Sequence, residues 1–289
     1  MKQFKESELI VNPDGSIYHL KLLPEQVADT VILVGDQGRV TTVSRHFDTI
    51  EHKVQNREFV THTGTFKGRP VTVLSTGIGT DNIDIVMNEL DALVNIDIPA
   101  RQLKPEPRSL NLIRLGTTGA LQGDIAVDSF VASAYGLGFD GLLHFYLHEG
   151  VTEDAMSDAF VKHTSWNDKL PYPYIVKASD ALMGKVAEGL RSGITATANG
   201  FFGPQGRSLR VPLSYPDLNE TIETFRYQGQ AITNFEMETS ALYGLSRLLG
   251  HQALTICTVI ANRVSKTYSK DYQTAVDQMI RMVLDRLVS

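Results

Sequence analysis

Three short apolar runs in this chain each lead directly into a cluster of glycines and polar residues. Residues 111–123, NLIRLGTTGALQG, show the pattern most fully, because the apolar run gives way to two threonines between two glycines. The run 31–34 leads into GDQGR, and the run 71–74 leads into STGIGT. Such runs predict buried strands, and the glycines allow the backbone that follows to approach a ligand closely. Since open α/β sheets bind ligands at the carboxyl ends of their strands, the pattern predicts an α/β fold.

Arginines accompany two of these junctions. Arg114 lies inside an apolar run, where a charge is costly without a partner, and Arg39 closes the first junction. From the 111–123 stretch alone, an anion site and a tight turn that carries an arginine to the surface are about equally favoured. The repetition of the junction along the chain favours the anion site.

Composition limits the classes of partner. A chain of 289 residues without a repeat or linker predicts one domain over residues 1–289, and a net charge of −6 argues against a general nucleic-acid surface. Cys257 is the single cysteine and cannot form an internal disulfide, which suits a reducing compartment. No apolar run approaches the ~20 residues that cross a membrane, and residues 1–15 lack a signal-peptide core. We therefore expect a cytoplasmic protein that binds neither nucleic acid nor membrane.

Periodicity predicts the remaining elements. A helix over residues 81–94 follows the third junction directly, so its positive N-terminus faces that loop. Residues 95–110 contain three prolines and predict a surface excursion, and residues 149–174 predict a long loop or a peripheral helix. The other predicted strands are 30–34, 59–64, 71–75, 128–135, 194–198 and 254–261, and the other predicted helices include 178–190 and 271–288.

Two motifs do not support the chemistry that their letters suggest. Residues 136–141 match G-x-G-x-x-G, but no amphipathic helix begins there, so we do not predict a dinucleotide site. His144 and His148 have the spacing of helical metal ligands, but no third ligand lies nearby in the sequence. We predict no metal site at these histidines.

Two further stretches have chemistry that single residues leave open. In residues 199–207, two aromatic residues precede Gln205 and Arg207. The aromatic rings could stack on a planar ligand, and Gln205 and Arg207 could bind the edge of that ligand. For this stretch alone, a glycine-rich loop with an aromatic anchor is the favoured interpretation. Glu236 and Glu238 stand at the start of an apolar helix. They could complement the helix dipole or bind the hydroxyls of a sugar. His19, taken alone, is an ordinary surface histidine.

Together these stretches resemble the nucleoside phosphorylase family, and within it the members that cleave uridine. The resemblance runs from residue 18 to the last helix, and its most specific matches are VILVGDQGRV (31–40), NREF (56–59), STGIG (75–79), RLGTTGAL (114–121), NFEMET (234–239) and VIANR (259–263). It implies a single-domain α/β fold with a mixed central β-sheet, partly closed into a barrel and flanked by helices. It also implies a pentosyltransferase that converts uridine, and by extension deoxyuridine, to uracil and the sugar 1-phosphate, with inorganic phosphate as co-substrate and no cofactor.

The resemblance also assigns roles to single positions. It implies phosphate contacts from Gly35, Arg39, Arg57, Arg114 and Thr117, ribose contacts from His19, Met237 and Glu238, and base contacts from Gly119, Phe201, Gln205 and Arg207. Arg114, Glu238 and Arg207 would be the catalytic residues. His19 and Arg57 would reach the site of a neighbouring subunit, which implies a homodimer with shared sites that could assemble into a hexamer. A structural monovalent cation near Glu58 and Ser75 is compatible with the resemblance.

The resemblance favours a pyrimidine over a purine. Purine-cleaving relatives end the central strand in an aspartate that protonates the purine, whereas this chain has Asn262 and Arg263. A purine- or thioadenosine-type phosphorylase or nucleosidase of the same fold is the alternative, although a hydrolase that uses water needs no cluster of arginines. A non-catalytic nucleoside-binding protein is a further alternative, which detectable turnover would exclude.

Overall fold

A mixed sheet of twelve strands organises residues 3–289, the part of the chain that the computed structural model describes. The strands, including a separate two-stranded hairpin of β5 and β6, are β1 (Thr30–Val34), β2 (Thr49–Asn56), β3 (Phe59–Phe66), β4 (Arg69–Ser75), β5 (Ile96–Asp97), β6 (Gln102–Leu103), β7 (Asn111–Ala120), β8 (Phe130–Gly138), β9 (Tyr174–Lys177), β10 (Arg191–Thr197), β11 (Arg226–Tyr227), β12 (Gln230–Glu236), β13 (Gln252–Asn262) and β14 (Thr267–Tyr268). The α-helices of the described residues are α1 (Gln37–Ser44), α2 (Thr80–Asn95), α3 (Asp154–Thr164), α4 (Asp180–Val186), α5 (Leu218–Thr224), α6 (Thr239–Leu249) and α7 (Tyr272–Val288).

Five strands close into a barrel. β7 pairs with β13, β13 with β8, β8 with β10, β10 with β12, and β12 returns to β7. From β7 the sheet continues outward through β1, β4, β3 and β2. This arrangement confirms the predicted α/β fold with a mixed, partly closed sheet that helices flank.

The two central strands are buried along most of their length, as their continuous apolar sequences predict. Leu112, Ile113 and Leu115 of β7 have no exposed surface, and β13 runs parallel to them. Helix α2 buries the face that its periodicity indicated, including Ile83 and Leu90. None of the helices within residues 3–289 has an apolar stretch long enough to cross a bilayer.

The predicted loop at residues 116–119 was wrong, because this segment continues β7 as far as Ala120. β13 pairs with β7 throughout this segment, and β12 pairs with its last residues. Gly116 is needed for close packing rather than for a turn. A Cβ on Gly116 would lie 2.5 Å from Nη1 of Arg114 and 2.9 Å from Sγ of Cys257.

Other differences between prediction and structure have local causes. Strand β2 was not predicted, because it is an edge strand whose polar side chains are mostly exposed. Residues 95–110 hold the small β5–β6 hairpin, and residues 149–174 hold α3. The predicted helix 178–190 is shorter than expected, since α4 ends at Val186. Gly136 and Gly138 of the G-x-G-x-x-G match both lie within β8.

Candidate active site

Arg114 is held inside the barrel wall by two carboxylates. Its side chain is about 5% exposed; Nη1 lies 3.0 Å from Oε2 of Glu236, and Nη2 donates to Oε2 of Glu238. Burial alone would lower the pKa of Arg114, but Glu238 and Glu236 outweigh burial and raise that pKa above its ordinary value. The charge that the sequence places in an apolar run therefore has two buried partners.

Glu236 binds the start of α6 as well as Arg114. It accepts hydrogen bonds from the backbone N–H of Glu238 and of Thr239, each at 3.0 Å, and from Oγ1 of Thr197 at 2.6 Å. The carboxylate thus satisfies N–H groups that a helix terminus leaves without partners. Of the two interpretations open from the sequence, complementing the helix terminus is the one that describes Glu236.

Glu238 joins the barrel to the STGIG junction. Its Oε1 accepts from the backbone N–H of Gly79 at 2.8 Å, while Oε2 accepts from Arg114. Burial raises the pKa of Glu238, Glu236 raises it further, and Arg114 opposes both. Each oxygen therefore already has one donor in the free protein.

Arg39 lies next to Arg114 and experiences its charge. Nη1 of Arg39 donates to the backbone carbonyl of Leu115 at 3.2 Å, and Arg114 itself pairs across the sheet with Leu33. Burial, and then the nearby charge of Arg114, lowers the pKa of Arg39. The two guanidinium groups so placed can donate to the same anion, while Glu236 and Glu238 balance their charge.

The first and third glycine junctions lie beside the middle of β7. β1 pairs in parallel with β4 as far as Val34 and Ser75, and with β7 as far as Leu33 and Arg114, so the carboxyl ends of β1 and β4 lie side by side. A Cβ on Gly35 would lie 3.4 Å from the carbonyl oxygen of Gly77. Thr117 is half-buried on β7 opposite Thr258, and Met237 is half-buried between the two glutamates. The predicted phosphate residues, Arg57 apart, thus share one region with Glu238.

The loop at residues 199–207 brings two cations onto one amide. Oε1 of Gln205 accepts from Nη1 of Arg207 at 2.8 Å and from Nη2 of Arg263 at 3.1 Å. The guanidinium of Arg207 lies 3.8 Å from the ring centroid of Phe201. Because both bonds go to the carbonyl oxygen of Gln205, its amide nitrogen keeps two N–H donors for a planar ligand.

Arg263 connects this loop to β7, a contact that the sequence does not predict. Its guanidinium lies 5.2 Å from the ring centroid of Phe235, and its Nε would lie 3.5 Å from a Cβ on Gly119. Burial, and then Arg207, lowers the pKa of Arg263 to about 10. The sequence feature that could have indicated Arg263 is its position after a predicted central strand. Arg39 was singled out because it follows a predicted strand in the same way.

The side chains of His19 and Arg57 make their contacts with residues other than Arg114 and Glu238. Nδ1 of His19 is 2.6 Å from Oε1 of Glu89, and the guanidinium of Arg57 lies 5.6 Å from the ring centroid of Tyr18. Within residues 3–289, no hydrogen bond or ion pair links either side chain to Arg114 or Glu238. The action of these two residues in the site of a neighbouring subunit stays a prediction.

Two other positions bear on the alternatives. Asn262 is buried and its Nδ2 donates to the carbonyls of Gln122 and Ile125, so this amide is committed to the backbone and has no acidic proton to give a base.

Oγ of Ser75 donates to the carbonyl of Glu58 at 2.7 Å. These oxygens are of the kind that bind a monovalent cation, and such a cation stays a prediction.

Comparison with known proteins gives consistent matches. The family model described as "Phosphorylase superfamily" matches residues 29–289. A uridine phosphorylase from Thermococcus kodakarensis is 30% identical over 278 residues, covering 93% of this chain and 86% of the relative. A DeoD-type purine nucleoside phosphorylase from Oceanobacillus iheyensis is 28% identical and covers 93% of this chain and 98% of the relative.

Solved structures are similar over nearly the whole chain. A nucleoside phosphorylase from Trypanosoma brucei, described as showing uridine phosphorylase activity, aligns with a TM-score of 0.85 and 31% identity, and covers 97% of this chain and 99% of that one. A uridine phosphorylase from Phytophthora capsici aligns with a TM-score of 0.70 and 25% identity, and covers 100% and 99%. Relatives named for pyrimidine and for purine nucleosides are therefore both similar to this chain.

Proposed function

The chain belongs to the phosphorylase superfamily, and from that premise we propose that it cleaves uridine with inorganic phosphate to give uracil and ribose 1-phosphate. It is an enzyme of the nucleoside phosphorylase family, a class of pentosyltransferases. The observation that carries the proposal is the buried Arg114–Glu238 pair, with Arg39 on one side and the Gln205 loop linked to the same strand through Arg263.

The phosphate would lie between the guanidinium groups of Arg39 and Arg114. An inorganic phosphate dianion there offsets the burial of Arg39 and the repulsion from Arg114, the two causes that lower the pKa of Arg39. Arginine binds phosphate oxygens through charge-assisted and often bidentate hydrogen bonds, each contributing about 1.5–3 kcal/mol. In the proposed homodimer with shared sites, which could assemble further into a hexamer, Arg57 of a neighbouring subunit adds a third cation.

The reaction exchanges one bond at C1′ of the ribose for another. A phosphate oxygen forms a bond to C1′ while the bond from C1′ to N1 of uracil breaks, and the electron pair leaves with the base. Arg207, Gln205 and Arg263 present N–H groups where negative charge develops on the uracil oxygens, and such donors contribute about 3–4 kcal/mol each in other enzymes. Glu238 and Met237 orient the ribose, with Glu238 accepting from its hydroxyls.

The base preference is supported by two features of the site. Gln205, with two arginines on its carbonyl, offers donors to the carbonyl oxygens of uracil. Asn262 is a buried amide and cannot protonate a purine ring nitrogen. The similarity to DeoD-type purine nucleoside phosphorylases keeps purine nucleosides as the alternative substrate class.

A substrate panel tests the proposal. Uridine, deoxyuridine, thymidine, inosine and adenosine are incubated with the purified protein, with and without phosphate, and free base is measured. We expect uracil release from uridine that depends on phosphate, loss of activity in Arg39→Ala, and little change in Arg69→Ala, an exposed arginine of β4. Base release without phosphate would indicate a hydrolase, and faster cleavage of inosine would indicate a purine enzyme; either result contradicts the proposal.

A further inference from the structure

One carboxylate on α2 holds both the ring and the backbone of His19. Oε1 of Glu89 is 2.6 Å from Nδ1 of His19, and both oxygens of Glu89 lie 3.0 Å from the backbone nitrogen of His19. The backbone N–H of Leu20 donates to Oε2 at 2.8 Å. The side chains of Glu89 and His19 are 13% and 26% exposed, so solvent screens the pair only in part. Glu89 therefore contacts the imidazole ring of His19 as well as the backbone of the segment.

The contact to the imidazole selects one tautomer. An ionised carboxylate can only accept hydrogen bonds, so Nδ1 of His19 must carry a proton. In the neutral ring Nε2 is then the acceptor, and within residues 3–289 no side chain or backbone group bonds to it. The ring plane is fixed by edge contacts with Tyr18 at 4.6 Å and Phe59 at 6.5 Å between centroids.

The backbone around His19 is held equally firmly. Nδ2 of Asn56 donates to the carbonyl oxygen of His19 at 2.8 Å. Asn56 ends β2 and adjoins Arg57, so the same contact ties His19 to the segment that carries the predicted third arginine. Orientation and tautomer of the ring are therefore set before any ligand binds.

We propose that Glu89 is a positioning residue for the ribose site, which fixes the Nδ1–H tautomer of His19 so that Nε2 accepts a hydrogen bond from the 5′-hydroxyl of a nucleoside bound in a neighbouring subunit. The proposal rests on the proposed function, since it needs a nucleoside in the Arg114 site. Glu89 itself does not touch the substrate. Its effect is confined to nucleosides that carry a 5′-hydroxyl, and this restriction separates positioning from simple anchoring of the loop.

The test compares uridine with 5′-deoxyuridine. Glu89→Gln, which keeps the size of the side chain but not its charge, is expected to lower kcat/KM for uridine about tenfold, as for the loss of one well-placed hydrogen bond, and to change kcat/KM for 5′-deoxyuridine less than about twofold. In a His19→Ala background the same substitution is expected to have no further effect on uridine. Asp84→Asn is the matched control, because Asp84 lies on the same helix and bonds to Tyr146 instead.

A second measurement does not depend on turnover. Nitrogen-15 chemical shifts of the His19 ring are expected to show the Nδ1–H tautomer in the unaltered protein and a mixture of tautomers in Glu89→Gln. Equal losses on uridine and 5′-deoxyuridine, or a mixture of tautomers in the unaltered protein, would overturn the positioning role. Absence of phosphate-dependent cleavage of any nucleoside would instead refute the proposed function, and the ring shifts would still decide the state of the Glu89–His19 pair.

Discussion

Replacing Arg114 by alanine would leave two buried carboxylates without their cation. Glu236 and Glu238 are 4% and 3% exposed, and both pair with this guanidinium. We therefore expect Arg114→Ala to be strongly destabilising as well as inactive.

The size of the effect follows from the burial of the pair. Removing one partner of a buried ion pair costs about 3–5 kcal/mol, because the remaining charge is left in a low-dielectric site. For chains of about 150–250 residues, the melting temperature shifts by roughly 2–4 °C for each kcal/mol lost. By that measure, the melting temperature of Arg114→Ala should fall by about 6–20 °C. Arg114→Ala combined with Glu238→Gln should recover part of this loss, since Glu236 keeps its bonds to the start of α6 and to Thr197.

The loss of stability in Arg114→Ala should depend on pH. Burial already raises the pKa of Glu238 with Arg114 present, and without that cation the pKa of Glu238 in the folded variant rises further above its unfolded value. A group with a raised folded pKa adds stability below its unfolded pKa, and this stability is lost as pH rises through the folded pKa. The deficit of Arg114→Ala against the unaltered protein should therefore be smaller at pH ~5 than at pH ~8.

Thermal unfolding of the two proteins, followed by calorimetry across this pH range, tests the reasoning. Glu238→Gln alone is the control, because Arg114 then keeps Glu236 as its partner. A melting temperature of Arg114→Ala within about 2 °C of the unaltered protein would refute the argument from buried charge. So would a deficit that neither pH nor the added Glu238→Gln substitution reduces.

Further predictions concern the surroundings of this pair and the surface. Gly116→Ala should lower kcat/KM at least about tenfold by displacing Arg114, which steady-state kinetics checks. Gly184→Ala introduces a Cβ that would meet nothing within 4 Å, so it should stabilise α4 by about 0.5–1 kcal/mol, which the melting temperature checks. Cys257 is fully buried and burial raises the pKa of its thiol to about 12, so a chromogenic disulfide reagent should react with it only after unfolding. Burial raises the pKa of Asp277, but hydrogen bonds from His46 and Arg45 outweigh burial and hold that pKa below its ordinary value. A carboxyl group whose pKa is lowered by folding adds stability above its unfolded pKa, and this stability is lost as pH falls through its folded pKa. Asp277→Asn should therefore lower the free energy of unfolding by at most about 1 kcal/mol near neutral pH. Calorimetry should show this difference disappearing in acid.

Local patterns in the sequence predicted much of the sheet. β1 has the predicted bounds, and the hairpin of β3 and β4 and the buried face of α2 follow from runs and periods of apolar residues. β2 could not be found in this way, because edge strands with exposed side chains have no apolar period. The continuation of β7 beyond Leu115 depends on pairing with β13, which is more than 130 residues away in the chain.

The candidate site shows the same division between local and distant information. The cost of burying Arg114 was evident from its neighbours, but its partners Glu236 and Glu238 lie 122 and 124 residues further along the chain. Glu89 lies 70 residues from His19, and Arg263 lies 58 residues from Gln205. The sequence indicated which residues require partners, and only the fold shows which partners they have.

The fate of the sugar tests the central claim most directly. Purified protein is incubated with uridine and inorganic phosphate, and the products are followed by phosphorus-31 NMR together with quantification of free uracil. We expect a sugar phosphate ester to appear in a one-to-one ratio with uracil, while the inorganic phosphate signal falls by the same amount. Uracil released with free ribose and an unchanged phosphate signal would contradict the account.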